Sequence, residues 1–246
     1  MAGAPSSPAS VVPKAAALTV LGLSCIAAMT AFGTLEMGAQ WLPAWASASA
    51  LYTVAAVGLW RGTPWSRSLT LGVVTWGLVA WVQSSIAALG PLPLVLGVIA
   101  GHVVAVGLLL ASPCGLERRH RISLVLAGAA LPGALMFGLA PLQDPSTRVM
   151  LVGGAALLFS MSVGLARGRT WGLLAGLLAV PMLATGAFVA PPTVSIAFMH
   201  PLLPADTVPS GVLLLRLLGV TSAALALASV VPFAGPVIRF VSRSTR

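Results

Sequence analysis

Charged residues are scarce in this sequence. Only 7% of its 246 residues are charged, whereas 58% are hydrophobic. A soluble domain typically has about 25% charged residues, so this chain has too few to cover a surface that faces water. A helix of about 20 apolar residues, in contrast, can cross a bilayer. The composition therefore predicts an all-α integral membrane protein.

Acidic residues and cysteines are rarer still. Four acidic residues stand against 13 lysines and arginines, which leaves a net charge of +9. These basic residues lie singly or in short groups between apolar runs, unlike the exposed basic patch of a nucleic-acid-binding protein. No direct nucleic-acid partner is therefore expected. Cys25 and Cys114 are expected at different depths of the membrane, too far apart for a disulfide, and are predicted to be free thiols.

The sequence patterns of common catalytic sites are missing too. No HExxH, GxSxG, Walker A or CxxC pattern occurs, which argues against the hydrolytic, nucleotide and dithiol chemistries that these patterns support. Asp144 and Asp206 fall between apolar runs, so an intramembrane aspartyl pair is not expected. His102 cannot join a bis-histidine haem site, because His120 and His200 fall at opposite membrane faces. The sequence predicts no metal and no cofactor, and an enzyme is the less favoured class.

Eight apolar runs are long enough to be transmembrane helices. Their predicted bounds are Ala15–Leu35, Leu42–Trp60, Ser68–Leu89, Leu92–Ser112, Ile122–Leu142, Val149–Ala166, Trp171–Ala190 and Gly211–Phe233. Two GxxxG patterns, Gly97–Gly101 and Gly172–Gly176, predict faces on which helices pack closely inside the protein.

Between and around these runs the chain divides into five predicted parts. They are a disordered cytoplasmic N-terminus (1–14), a first four-span half (15–115), a second four-span half (116–236), an outer loop within it (191–210) and a basic cytoplasmic tail (237–246). The prolines of the loop disfavour a helix there, so an ordered or re-entrant loop is expected, with a simple connector as the alternative.

Positive charge predicts the orientation, because lysine and arginine are retained in cytoplasmic loops. With the N-terminus inside, every basic residue except Arg148 and Arg216 falls in a cytoplasmic segment. The sequence thus predicts eight spans with both termini in the cytoplasm, in a bacterial-type inner membrane. A cleaved signal peptide stays an alternative, since an apolar stretch and the small-residue run Trp45–Ala50 follow Lys14. Cleavage would leave seven spans.

Two stretches of the chain resemble each other. Val57–Trp65 reads VGLWRGTPW, and Val163–Trp171 reads VGLARGRTW. Both end an even-numbered span, cross a cytoplasmic turn and open the next span. They indicate a duplicated four-helix unit, which would be a parallel repeat because four is an even number of spans. The alternative to a duplication is that glycine and arginine commonly occur in the turns between apolar helices.

Four polar residues within or at the edge of the spans are candidate ligand-binding residues, because hydrocarbon disfavours polar groups without a partner. They are Glu36, Gln83, His102 and Arg216. Arg216 is expected either to snorkel to the outer headgroups or to pair with an acidic residue on that side. His102 is expected to be a neutral imidazole bonded to helix backbone or to a Ser or Thr hydroxyl, with a proton carrier as the alternative.

Three functions fit these features. The favoured one is a non-catalytic membrane regulator or scaffold whose basic inner face, with Arg118, Arg119 and Arg121, attracts an acidic cytoplasmic protein or anionic lipid. An anti-sigma-type protein that holds a sigma factor is one example. The first alternative is a small transporter with an outward polar site formed by the four candidate ligand residues. The second is a lipid-acting membrane enzyme with chemistry around His200 and Asp206.

Overall fold

The described part of the chain folds into eight α-helices. The computed structural model describes residues 8–33, 35, 42–86, 92–139, 145–189 and 208–235, and no strand occurs among them. The helices are α1 Pro8–Gly33, α2 Leu42–Trp60, α3 Ser66–Ile86, α4 Leu92–Ala111, α5 Arg118–Leu139, α6 Pro145–Ala166, α7 Trp171–Val189 and α8 Val208–Val230, and a 3-10 turn Val231–Phe233 follows α8.

Each helix coincides with one predicted apolar run, and α2 has the predicted bounds. The clearest difference is at the N-terminus, where disorder was predicted for residues 1–14. That prediction is wrong from Pro8 onward, because α1 begins there. Proline suits the first position of a helix, since its missing N–H would have no intrahelical partner. Residues 1–7, residues 191–207 of the predicted outer loop and the basic tail lie outside the described residues.

Apolar side chains cover both the buried and the exposed faces of the helices. Met29 and Val149 are 73% and 67% exposed, while Leu69 and Leu151 are fully buried. Soluble monomers rarely expose apolar surface on this scale. Five helices, α1, α2, α4, α5 and α6, are long and apolar enough to cross a membrane, and the described parts of α7 and α8 are apolar but shorter. The protein is therefore a multi-pass helical membrane protein.

Hydroxyl side chains within these helices bond to backbone carbonyls. Thr19, Thr75 and Ser162 each donate to the carbonyl four residues earlier, at 3.0, 2.7 and 2.9 Å. Ser24 instead links two helices, because its hydroxyl donates to the Ser49 carbonyl of α2 at 2.8 Å. Such bonds satisfy hydroxyl groups that water cannot reach in lipid.

The helices pack in two groups of four. In the first group each helix from α1 to α4 contacts the next, and α4 contacts α1. The second group, α5 to α8, has the same set of contacts. The groups are joined where α5 packs against α3 and α2.

Glycines bring α3 and α5 into backbone contact. A Cβ atom on Gly72 would overlap the Val125 carbonyl oxygen and lie 2.6 Å from the Ala129 nitrogen. A Cβ atom on Gly128 would likewise overlap the Leu69 carbonyl. These two glycines therefore determine how closely the two groups of helices approach.

The GxxxG patterns predicted the packing only in part. Gly172 does face the Gly164–Leu165 backbone closely. The prediction is wrong for Gly97, which is exposed and has no atom within 4 Å of a Cβ built on it. The pattern records spacing along one helix, whereas packing depends on which way that face is turned.

Candidate functional site

Basic residues from several helices meet at one end of the bundle. The Lys14 ammonium at the start of α1 lies 5.8 Å from the ring centre of Trp60 at the end of α2. At the start of α5, His120 meets Phe233, which follows α8, edge to face with ring centres 5.2 Å apart. We call this end the basic end, and its described basic residues are Lys14, Arg61, Arg67, Arg118, Arg119, Arg121, Arg167 and Arg169.

Two turns at the basic end share one backbone geometry. After α2, the Gly62 and Thr63 N–H groups donate to the Leu59 and Gly58 carbonyls at 3.1 and 3.0 Å. This is a Schellman closure, in which a glycine in the left-handed region ends the helix. Gly62 has φ +64° and Gly168 has φ +65°. After α6 the same two bonds run from Gly168 to Leu165 and from Arg169 to Gly164, at 3.0 and 2.9 Å.

The first turn of α5 presents the arginines that the sequence marked for partner binding. Arg118, Arg119 and Arg121 are all exposed. Arg119 Nε donates to Glu117 Oε2 at 2.7 Å, and His120 lies 3.5 Å from the same oxygen. Within the described part of the chain, no carboxylate pairs with Arg118 or Arg121. Their charges remain available to a binding partner.

Arg67 has a structural role at the basic end. Its Nε and Nη2 atoms donate to the Leu109 and Leu110 carbonyls, at 2.7 and 3.1 Å. These carbonyls lie in the last turn of α4, where helix acceptors lack intrahelical donors and a cation also opposes the negative end of the helix dipole. The guanidinium therefore caps α4 from α3, and it lies beside the thiol that follows α4.

These neighbours lower the pKa of the Cys114 thiol. Its sulfur lies 3.8 Å from the Ser68 hydroxyl oxygen. Burial raises the pKa of the Cys114 thiol, but hydrogen bonds from the Leu116 N–H and the Ser68 and Arg67 side chains, with the Arg67 charge, lower it by more. The net pKa lies below its ordinary value. Both cysteines are free, as predicted, and Cys25 is exposed within α1.

Alkylation of Cys114 should therefore proceed faster at neutral pH than that of an ordinary thiol, because the thiolate is the nucleophile. Its rate should rise with pH around a midpoint that moves upward in Arg67→Gln and Ser68→Ala. A maleimide reaction followed between pH 6 and pH 10 on a Cys25→Ala background measures the midpoint. Identical profiles for the parent and both variants would contradict the activation.

A polar junction lies near the middle of α2, α3 and α4. Tyr52 Oη lies 3.0 Å from His102 Nε2, and the rings meet edge to face. His102 Nδ1 lies 2.8 Å from the Val98 carbonyl oxygen. Because that oxygen can only accept, Nδ1 carries the proton of the neutral ring, and the Tyr52 hydroxyl donates to Nε2. Gly77 of α3 leaves room for the pair, since a side chain there would overlap both groups.

No family model, curated protein or solved structure matches the chain. Its function is therefore inferred from the chemistry of the basic end and of the mid-depth junction.

The four candidate ligand residues are placed only in part. Glu36 lies outside the described residues, and so do the side chains of Gln83 in α3 and Arg216 in α8. His102 is 1% exposed, and both of its nitrogens are bonded. The predicted backbone bond of His102 is present, but its hydroxyl partner is a tyrosine rather than a serine or threonine.

Tyr52 was missed in the sequence, although a signal was available. It is the one tyrosine of the chain and stands in the middle of an apolar run. A buried tyrosine hydroxyl usually has a hydrogen-bond partner, and in lipid that partner must come from another part of the protein. The tyrosine and the one histidine that fall within the predicted spans, at similar depths, are therefore candidates for a pair.

Proposed function

We propose that this protein is a non-catalytic membrane regulator or scaffold, and that it binds an acidic cytoplasmic protein through Arg118, Arg119 and Arg121. The observation that carries the proposal is the exposed first turn of α5, on which two of these guanidinium groups have no carboxylate partner among the described residues. Positive side chains at a helix N-terminus also add to the positive end of the helix dipole. A carboxylate-rich surface is the natural complement.

The charge balance of the chain supports an external partner. Thirteen basic residues face only four acidic ones, so most of the positive charge cannot be neutralised within the protein. Glu117, which lies at the basic end, already contacts Arg119 and His120. The counter-charge for Arg118 and Arg121 then comes from another molecule.

The proposal includes eight spans with both termini in the cytoplasm of a bacterial-type cell, in its inner membrane. Basic residues from α1, α3 and α5 lie together at one end of the bundle, and this supports the proposed orientation. Arg148 lies at the opposite end, at the start of α6. The matching turns and the two similar groups of four helices favour a parallel duplication.

A transporter is less well supported by the junction at mid-depth. Transport sites of repeated membrane proteins lie near the bilayer midplane between the repeats. His102 lies at mid-depth, but it is enclosed by α2, α3 and α4 of one group and bonded at both nitrogens. It contributes packing and a hydrogen bond there rather than an open polar surface.

Neutralising the α5 arginines should weaken partner binding. The full chain in lipid nanodiscs is used to capture its soluble partner from cytosol, and the purified partner is then titrated against the R118Q/R119Q/R121Q variant. Exposed charge pairs contribute up to about 1 kcal/mol each, so the loss of three arginines should lower the affinity by about tenfold to 100-fold. Binding by the parent should also weaken between 0.05 and 0.5 M salt as screening increases.

Arg148→Gln is the matched control, because it removes the same charge from the opposite end of the bundle. It should bind the partner like the parent. Equal affinity of the partner for the triple variant and the parent would rule out this proposal. So would an affinity that does not change with salt concentration.

A further inference from the structure

The twin turns after α2 and α6 each combine an exposed tryptophan with exposed cations. Trp60 is 56% exposed and Trp171 is 44% exposed. Arg61 is exposed beside Trp60, and the exposed Lys14 ammonium lies over the Trp60 ring. The second turn exposes Arg167 and Arg169, the latter two residues before Trp171. The first turn thus has Arg61, together with Lys14 of α1, beside Trp60, and the second has Arg167 and Arg169 close in sequence to Trp171.

The position of these groups relative to the membrane points to headgroups as the ligand. Arg61 directly follows α2 and Arg167 directly follows α6, and both helices are long and apolar enough to cross a membrane. The Schellman closures reverse the chain within a few residues, so these side chains cannot extend far into the cytosol. Exposed tryptophans at the ends of spans lie at the depth of the lipid headgroups.

No counter-charge for these side chains occurs in the described part of the protein. The only acidic residue placed at the basic end there is Glu117, which is bonded to Arg119. A guanidinium can form two parallel hydrogen bonds to a phosphate. The second cation of each pair adds electrostatic attraction to the same negative phosphodiester.

We propose that each twin turn binds the headgroup of one anionic phospholipid, two per chain. Lys14 and Arg61 hold the first phosphate beside Trp60, and Arg167 and Arg169 hold the second beside Trp171. The tryptophan indole lies against the glycerol region of the same lipid. These sites use no residue of the α5 arginine surface, so the lipid and the protein partner bind independently.

Lipid counting on the intact protein tests this proposal. The full chain in a neutral detergent is titrated with phosphatidylglycerol and examined by native mass spectrometry, with phosphatidylcholine as the zwitterionic lipid. The parent should take up two tightly bound phosphatidylglycerol molecules, and phosphatidylcholine should bind far more weakly. Each basic side chain contributes about 1 kcal/mol near an anionic lipid, or about fivefold.

The variants should remove the two lipids separately. K14Q/R61Q should weaken one phosphatidylglycerol adduct by about 25-fold, R167Q/R169Q should weaken the other equally, and the fourfold variant should lose both. Arg148→Gln is the control, because it removes a positive charge from the opposite end of the bundle, and it should retain both adducts. Melting temperatures of the lipid-free variants, compared with the parent, show that the fold is intact.

Four results would overturn the proposal. The first is equal binding of phosphatidylcholine and phosphatidylglycerol, and the second is retention of both adducts by the fourfold variant. The third is displacement of phosphatidylglycerol by millimolar inorganic phosphate, since that would identify a site for free phosphate. The fourth is a loss of adducts in Arg148→Gln, since that would make the effect one of net charge rather than of two defined sites.

Discussion

Gly72→Leu is expected to leave little or no folded protein. The Cβ of the new side chain would overlap the Val125 carbonyl and lie 2.6 Å from the Ala129 nitrogen, so it meets backbone that cannot rotate away. The α3 and α5 helices would have to separate, and this contact joins the two groups of four helices. Overpacking against side chains costs about 1–3 kcal/mol, and a clash with backbone exceeds that range. Fluorescence-detected size-exclusion chromatography in detergent measures the loss.

Gly97→Leu provides the matched control for this variant. Gly97 lies on α4 within a GxxxG pattern, and nothing lies within 4 Å of a Cβ built on it. The same substitution there should leave the elution profile and the melting temperature almost unchanged. If Gly72→Leu behaved like Gly97→Leu, the close approach of α3 and α5 would not exist in the membrane.

Breaking the Tyr52–His102 bond is expected to have the second largest effect. Tyr52→Phe leaves the buried His102 Nε2 without a donor, and His102→Leu leaves the Tyr52 hydroxyl without an acceptor. An unsatisfied buried group costs about 1–3 kcal/mol. Each single variant should therefore unfold at a lower temperature or denaturant concentration than the parent in the same detergent.

The double variant distinguishes a specific bond from general disruption. Y52F/H102L removes donor and acceptor together, so it should be more stable than the two single losses predict, with a coupling of about 1 kcal/mol. Thr75→Val is the control, since Thr75 is exposed and bonds only to the Leu71 carbonyl of its own helix. Additive losses at Tyr52 and His102 would mean that the two side chains do not meet.

The sequence predicted the helical elements because length and apolarity suffice for them. A run of apolar residues long enough to cross the bilayer must form a helix, since only the backbone itself can satisfy its own polar groups there. Turn residues were equally informative, because the similar stretches VGLWRG and VGLARG predicted two equivalent turns. In the structure both turns close on a glycine in the left-handed region. The start of α1 was missed because Pro8 was read as a sign of disorder, whereas proline also begins helices.

The candidate sites were predictable to a different extent. Exposed arginines at span ends follow from the charge pattern alone, and Arg118, Arg119 and Arg121 are exposed in the structure. The roles of individual arginines do not follow from it. The sequence assigned Arg67 only a role in membrane orientation. In the structure it caps α4 and lowers the pKa of the Cys114 thiol, because α3 and α4 bring together residues that lie far apart in the sequence.

By itself the amino-acid sequence determined that the protein folds in a lipid bilayer, which segments form helices and which end of the bundle is positively charged. Only the tertiary structure decided that Gly72 rather than Gly97 carries a helix contact, and that Tyr52 bonds to His102. The reason is the uniform apolarity of the helices. Where lipid is as apolar as the protein interior, hydrophobic pattern no longer tells which side of a helix faces inward, and close packing and hydrogen bonds between helices determine its rotation.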